Sequence, residues 1–521
     1  MRSPPSLINQ SFEFSCGCGA SPLEPWRVGV FGGEGGVVRE FGNLVGGKVL
    51  PAAGGAWLDS VNPSTGEVWA RVPRSGAADA EAAVEAARSA FPAWAALPPA
   101  RRAMYLKAVA RVVAEHAAEL AEIEARDNGR IIRDVAGGDL PGVAYMWDAF
   151  AGECDAAVRG MSTQVGPTTV GLTRREPYGV VLGIIPWNAP LPTLTAKAGA
   201  ALAAGNTAVI KPAEQASASS LRFAELVADV LPPGVLNIVA GLGDEVGDPL
   251  VRHAGIDRIS LTGSTATGQV VTRASADHLK PLALELGGKS PNIVFADADL
   301  DAAAVGATTT AVFTGNAGQV CYAGTRILVE RSVFDDFLER MRAAAAGVVL
   351  GDARDPATTM GPIVSAEQFA RVAGYLDGAA GEGAETVFGG RRGAALFPDG
   401  SPCADGYFVE PTLLRVPDNT LRVCREEVFG PVAVVMPFAD EDDAVRIAND
   451  TGYGLAAGIW TQSLARAHRM SAALHAGFVW VNTYRRLGGG LPFAGIGDSG
   501  YGHDSVLENT REKSVMIELL G

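Results

Sequence analysis

Val180-Val181-Leu182-Gly183-Ile184-Ile185-Pro186-Trp187-Asn188 opens the segment whose reading decides the fold. An uncharged run rich in β-branched side chains, stopped by Pro186, predicts a short strand buried on both faces. The same reading applies downstream to Thr207-Ala208-Val209-Ile210, Val235-Leu236-Asn237-Ile238-Val239 and Asp257-Arg258-Ile259-Ser260-Leu261. Helical periodicity fills the intervals at Leu194 to Ala204, Ser219 to Val230 and Ala266 to Ala274, and Pro232-Pro233-Gly234 supplies a turn. Strand alternating with helix predicts a parallel sheet with helices on both faces. Such a sheet takes its ligands beyond the carboxyl ends of its strands. The positions to watch therefore follow each run: Pro186-Trp187-Asn188, Lys211-Pro212-Ala213-Glu214, the glycines from Gly241 onward, and Gly263-Ser264.

Outward from this segment, the alternation resumes after Phe295 with a helix near Leu300 to Val312 and a strand at Arg326 to Glu330. A second α/β unit follows, to about Val481. Upstream, Ala77 to Ala125 has helical spacing, which Leu97-Pro98-Pro99 divides into two helices. Residues 1–42 are rich in Gly, Ser and Pro without a sustained period and read as a disordered extension, although Trp26 to Phe31 also fits a strand. The last forty residues are Gly-rich and close on an apolar strand, Ser514 to Leu519.

Composition narrows the function. A chain of 521 residues, 48% hydrophobic and 19% charged, buries a large core without disulfides. Its net charge of −15 repels phosphate backbones and anionic lipids, which argues against nucleic-acid and membrane partners. The most apolar stretch, Val180 to Ile210, is interrupted by Pro186, Pro190, Pro192, Lys197 and Asn206, so no membrane span is expected. The N-terminus lacks the apolar run of a secretory signal, and six scattered cysteines fit a reducing, cytoplasmic setting. Cys16 and Cys18 form a C-x-C with no second pair, so no metal site is expected.

Cys321 follows small residues in Asn316-Ala317-Gly318-Gln319-Val320-Cys321, where a ligand can approach the backbone closely; on its own, a buried structural thiol is the commoner reading. Glu285, in Leu284-Glu285-Leu286-Gly287-Gly288, sits at a strand end between apolar and small neighbours, where burial would raise a carboxyl toward the range of a general base; on its own, a solvated or salt-bridged glutamate is the commoner reading. Gly288-Lys289-Ser290 imitates the tail of a phosphate-binding loop, but the required upstream glycine is Ala283 and a strand follows instead of a helix. Gly241 to Gly247 is one residue too long for a dinucleotide fingerprint. Gly263 to Gly268 opens a helix, where N–H groups and a hydroxyl can face phosphate.

Taken in order, Pro186-Trp187-Asn188, Lys211-Pro212-Ala213-Glu214, Leu261-Thr262-Gly263-Ser264, Leu284 to Ser290, Gly318 to Cys321, Glu427-Val428-Phe429-Gly430-Pro431, Val481-Asn482 and Pro492-Phe493 resemble the aldehyde dehydrogenase superfamily over nearly the whole chain after residue 43. The resemblance implies an α/β fold of two Rossmann-like parallel-sheet domains plus a small β oligomerisation arm. It places an NAD-binding domain at 43–160 and 180–287 and a catalytic domain at 288–481, with the arm and C-terminal segment at 161–179 and 482–521. It implies oxidation of an aldehyde to a carboxylic acid by the hydrolytic, non-acylating route. Cys321 would attack the carbonyl, Asn188 would hold the oxyanion and Glu285 would activate water. Ile184, Pro186, Trp187, Lys211, Glu214, Gly241, Gly247, Ser264, Leu286, Glu427 and Phe429 would hold the cofactor. Glu214 favours NAD over NADP, because a carboxylate accepts from ribose hydroxyls and repels a 2′-phosphate. A homodimer or homotetramer is implied, with a hairpin at Met161 to Glu176 paired to Ser514–Leu519 of a partner.

Several positions depart from the family pattern: Ala189 after the asparagine, Asp498, His503-Asp504, and the loop Tyr484-Arg485-Arg486-Leu487. The two arginines raise the idea of an acidic aldehyde, while Ala189 with Tyr322 points to a roomy pocket with one aromatic wall. Two other classes of function stand beside the leading one. A catalytically silent NAD-binding member would be expected to have lost Cys321, Glu285 or Asn188. A cofactor-independent cysteine thioesterase would need a histidine base, and none of His116, His253, His278, His468, His475 and His503 lies in a recognisable pairing motif.

Overall fold

A computed structural model describes residues 38–488 and 490–519. The four runs quoted above form strands Val180–Ile185, Thr207–Pro212, Leu236–Ile238 and Arg258–Thr262, joined by Leu282–Glu285. These lie parallel in the order 282–285, 258–262, 180–185, 207–212, 236–238. The order reverses beside Val180–Ile185, and the gap left there at the carboxyl ends is where a ligand finds room. Antiparallel strands extend both edges: Gly500–Tyr501 pairs with Leu282–Glu285, and Asn43–Val45 with Leu236–Ile238. Pro190–Ala204 covers one face. It begins one residue past the loop carrying Asn188, where Pro190 suits a first turn whose N–H groups have no intrahelical acceptor, since proline has none to leave unpaired.

The second sheet has seven strands, in the order 385–388, 412–415, 432–438, 326–330, 291–294, 456–460, 478–481. All pairings are parallel except that of Glu385–Phe388. Its core gathers Phe295, Phe313, Phe337, Phe438 and Trp460. Leu286-Gly287-Gly288 carries the chain from the carboxyl end of one sheet directly into the amino end of the other, at Pro291–Val294. The space between the two sheets is therefore lined by the ends of both.

The structure corrects the sequence reading in four places. Structure begins before residue 43: Arg39–Glu40 pairs with Glu67–Pro73, which also pairs with Trp57–Asn62 in a small sheet that sequence patterning missed. Ala77 to Ala125 is three helices, Ala77–Ala95, Pro99–Glu115 and Ala117–Asn128, with a second break at His116. The C-terminal strand is longer than expected, Thr510–Glu518, and it pairs with Thr169–Pro177 of the same chain. Ser162–Gln164 completes this arm, so the strand exchange expected with a partner is made internally. The strand considered at Trp26 to Phe31, the extension as far as Val37, and the Cys16/Cys18 pair lie outside the described residues. Among the described residues no helix is long and apolar enough to cross a membrane.

Candidate active site

Glu285 ends its strand. Strand alternation turns the buried Leu284 and Leu286 toward one face and Glu285 toward the other. Both carboxyl oxygens of Glu285 are enclosed and neither has a hydrogen-bond partner. Burial therefore pushes its carboxyl up to about 8, with Lys197 pulling down and Asp504 pushing up. Lys197 is fully buried. Its Nζ donates to Ser260 Oγ at 2.7 Å and lies 2.9 Å from Asp504 Oδ2, and Ser260 Oγ donates to Asp504 Oδ1 at 2.7 Å. This closed charged triangle behind Glu285 was not found from the sequence. Its one local sign is a lysine in the otherwise apolar helix Pro190–Ala204.

Cys321 sits on the turn before strand Arg326–Glu330 and keeps part of its surface open. Packing around the sulfur pushes the thiol above its ordinary range, and the nearby carboxyls of Glu285 and Glu427 push it further. The turn is built from conformations that favour glycine: Gly318 has φ +69°, and a Cβ there would strike the carbonyl of Gly430. Gly288 is equally constrained, since a Cβ would strike the carbonyl oxygen of Cys321. Asn188 is buried, and its Nδ2 donates to the carbonyl of Gln319 at 2.8 Å, two residues before the sulfur. The structure thus brings Cys321, Glu285 and Asn188 to one place between the sheets.

Most of the residues expected to hold a dinucleotide follow the carboxyl ends of the first sheet's strands, and Glu427 and Phe429 come from the segment before strand Val432–Phe438. Lys211 Nζ pairs with Glu214 Oε2 at 3.0 Å, and Gly247 lies against the Lys211 side chain, a Cβ there falling 3.9 Å from Cε. Ser264 caps helix Thr265–Ser275, its Oγ accepting from Thr267 N–H at 3.1 Å, with the helix N-terminus facing solvent. Leu286 packs on Gly268 inside that helix, where a Cβ would lie 2.7 Å from Leu286 Cδ1. Ile184 and Pro186 line the end of the first strand. Trp187 meets Phe429 edge to face at 5.1 Å. Glu427 accepts from Gly288 N–H at 2.9 Å, and a Cβ on Gly287 would come within 2.5 Å of its Oε2. Burial pushes the Glu427 carboxyl up to about 7. Gly241 is pressed against the backbone of Ser75, so its missing side chain serves packing within the chain.

Next to Cys321 in the chain, Tyr322 joins an aromatic cluster. Tyr322 stands 5.7 Å from Trp480 and 5.6 Å from Phe493, and Phe478 is 4.8 Å from Trp480. Tyr484 fixes the turn by donating its hydroxyl to the carbonyl of Tyr322 at 2.9 Å. Arg485, considered above as a carboxylate ligand, donates Nη1 to the carbonyls of Thr310 and Thr314 at 3.3 and 3.0 Å, while Arg486 is exposed. The guanidinium thus helps anchor the segment before Cys321.

This geometry can be set beside known proteins. The profile of the aldehyde dehydrogenase family matches residues 50–515. The chain belongs to the aldehyde dehydrogenase family. It is 41% identical over 473 residues to acetaldehyde dehydrogenase 2 of Cupriavidus necator, covering 90% of this chain and 92% of that one. The crystal structure of PnpE from Pseudomonas sp. WBC-3 superposes with a TM-score of 0.88 at 42% identity, covering 92% and 98% of the two chains. An aldehyde dehydrogenase from Bacillus cereus, solved as its NAD+ complex, gives a TM-score of 0.88 at 39% identity, covering 92% and 97%. The aldehyde dehydrogenase fold and an enzyme of this family therefore stand on sequence and structure together.

Proposed function

We propose that this aldehyde dehydrogenase converts an aldehyde to the free carboxylic acid through a covalent bond to Cys321, with NAD as hydride acceptor. The observation that carries the reading is the convergence of an accessible thiol, a buried amide and an unpartnered carboxyl beside the carboxyl ends of the first sheet's strands. The sulfur of Cys321 adds to the aldehyde carbon as its proton leaves to solvent, and the carbonyl π pair moves to oxygen. That oxyanion is received by the free hydrogen of the Asn188 amide and by the Cys321 N–H, donors held in place before the charge develops. Bound NAD supplies the hydride acceptor that turns the adduct into a thioester on Cys321. Glu285 then takes a proton from water as the water oxygen adds to the thioester carbon. Collapse releases the acid and returns the thiolate.

The chain's own groups fit the dinucleotide. Glycine 287 leaves the space beside the Glu427 carboxyl that a side chain would fill. The Ser264-capped helix presents free N–H groups suited to a pyrophosphate. The Glu214 carboxylate suits ribose hydroxyls and opposes a 2′-phosphate, and the Bacillus cereus relative was solved with NAD+.

The aromatic wall of Tyr322, Trp480 and Phe493 favours aromatic or medium-chain aldehydes over acidic ones. The exposed Met161, Met516 and Leu519 of the arm favour assembly as a homodimer or homotetramer. The four described cysteines are free, which suits a cytoplasmic enzyme. A panel of aliphatic, aromatic and acidic aldehydes, read as NADH formation with NAD and with NADP, tests the reading. Aromatic aldehydes with NAD should give the highest kcat/KM. Turnover without any nicotinamide cofactor would contradict the reaction, and a preference for acidic aldehydes would contradict the pocket.

A further inference from the structure

Helix Ala117–Asn128 ends at Gly129, in the left-handed region at φ +78°, and the turn throws two polar side chains onto the loop that carries Asn188. Asn128 Nδ2 donates to the carbonyl of Trp187 at 3.2 Å, while its Oδ1 accepts from Arg130 N–H at 2.9 Å. Arg130 Nη1 reaches the carbonyl of Asn188 at 3.4 Å, and Nη2 lies 2.5 Å from Asp139 Oδ2. Asn316 Nδ2 donates to the same Asn188 carbonyl at 2.9 Å, from the segment that leads to Cys321. Only glycine fits at this turn, since a Cβ on Gly129 would fall 2.7 Å from Pro362 Cγ.

This arrangement supplies what the loop lacks. Pro186 to Asn188 lies between a strand and a helix and outside both hydrogen-bond ladders, which resume at Ala189, whose carbonyl accepts from Thr193 N–H. A peptide plane there can rock, and rocking the Asn188 peptide swings its side-chain amide. Arg130 is only 9% exposed. A guanidinium desolvated to that degree stays put only with a fixed counter-charge, and Asp139, at the entry to helix Leu140–Glu153, provides one. We propose that Arg130, anchored on Asp139, is a positioning residue that clamps the Asn188 carbonyl and so aims the Asn188 amide at the developing oxyanion. Arg130 touches neither substrate nor cofactor in this role; it acts through Asn188.

The proposal rests on the assignment of Asn188 as oxyanion donor, and a double-substitution cycle in the full-length enzyme separates the two. Asn188→Ala should lower kcat on the order of 100-fold or more, the usual loss for one oxyanion donor. Arg130→Gln should lower kcat on the order of tenfold, a misalignment smaller than the loss of the donor itself, with KM for aldehyde and for NAD within about twofold. In the Asn188→Ala background, Arg130→Gln should cost less than about twofold, because nothing remains to be aimed. Arg130→Lys, which keeps the charge near Asp139, should recover part of the loss.

Should Arg130→Gln not fold, as judged by thermal melting, Asp139→Asn enters the same cycle with the same expectation. Equal losses from Arg130→Gln in both backgrounds, or a folded Arg130→Gln enzyme with unchanged kcat, overturns the clamp and leaves Asn188's role intact. A negligible effect of Asn188→Ala alone overturns the assignment and the clamp together.

Discussion

Replacing Glu285 with glutamine should separate the two halves of the reaction. Neither carboxyl oxygen of Glu285 has a hydrogen-bond partner, so glutamine enters without breaking a contact, and the variant removes only the titrating group. With its carboxyl pushed up to about 8, Glu285 is ionised in roughly one molecule in ten at pH 7 and nine in ten at pH 9. A positioned general base contributes about 100- to 10,000-fold. The loss in thioester hydrolysis on Glu285→Gln is therefore on the order of 10- to 1,000-fold at pH 7 and ten times larger at pH 9. Hydrolysis by the unsubstituted enzyme should climb about tenfold per pH unit below 8 and level off above it, and the variant should lose that limb.

The thiol responds in the opposite sense. Glu285 is one of the groups that push Cys321 up, so removing its charge eases thiolate formation. Stopped-flow absorbance of NADH should therefore show a preserved first-turnover burst of about one equivalent per active site, followed by a slowed steady state. The stability sign follows from the same shift. A carboxyl whose value rises on folding from 4.5 to about 8 favours the folded state at low pH, and that contribution fades as pH rises between the two values. Glu285→Gln should lack this decline in thermal melts. Loss of the burst together with the steady state, or a steady state that keeps its alkaline limb, would refute the assignment of Glu285 to hydrolysis.

Two further outcomes follow from the packing. Gly288→Ala places a methyl group against the Cys321 carbonyl, so it should lower kcat on the order of 100-fold while leaving the NAD dissociation constant within a few-fold, measured by quenching of intrinsic fluorescence. Glu214→Gln removes the charge that opposes a 2′-phosphate, and the ratio of kcat/KM for NADP to that for NAD should rise about tenfold, read from initial rates with each cofactor.

Much of this was legible in the chain because the signals are local. Val180–Ile185 and its neighbours announce themselves through uncharged β-branched runs, and Cys321, Glu285 and Asn188 through short motifs that the fold then gathers. The small N-terminal sheet was missed because Trp57–Asn62 and Glu67–Pro73 are half-exposed strands with charged side chains and no long apolar run. The arm was assigned to an exchange with a partner because sequence shows a strand's potential to pair and not its mate; Thr510 in fact lies opposite Pro177 of its own chain. The charged groups that tune the site left almost no trace. Lys197 and Asp504 are 307 positions apart, and Arg130 reaches Asn188 across 58. A buried ion pair is defined by its partner in space, and neither residue alone marks its function.

Every covalent step of the reaction runs through Cys321, the group that carries the acyl chain. NADH formation by Cys321→Ala, assayed across the aldehyde panel after confirming that the variant still melts cooperatively and still binds NAD, tests this most directly. No NADH above the enzyme-free rate with any aldehyde is the predicted result. Turnover within tenfold of the unsubstituted enzyme would contradict it, leaving the family fold in place and its chemistry to be sought at another residue.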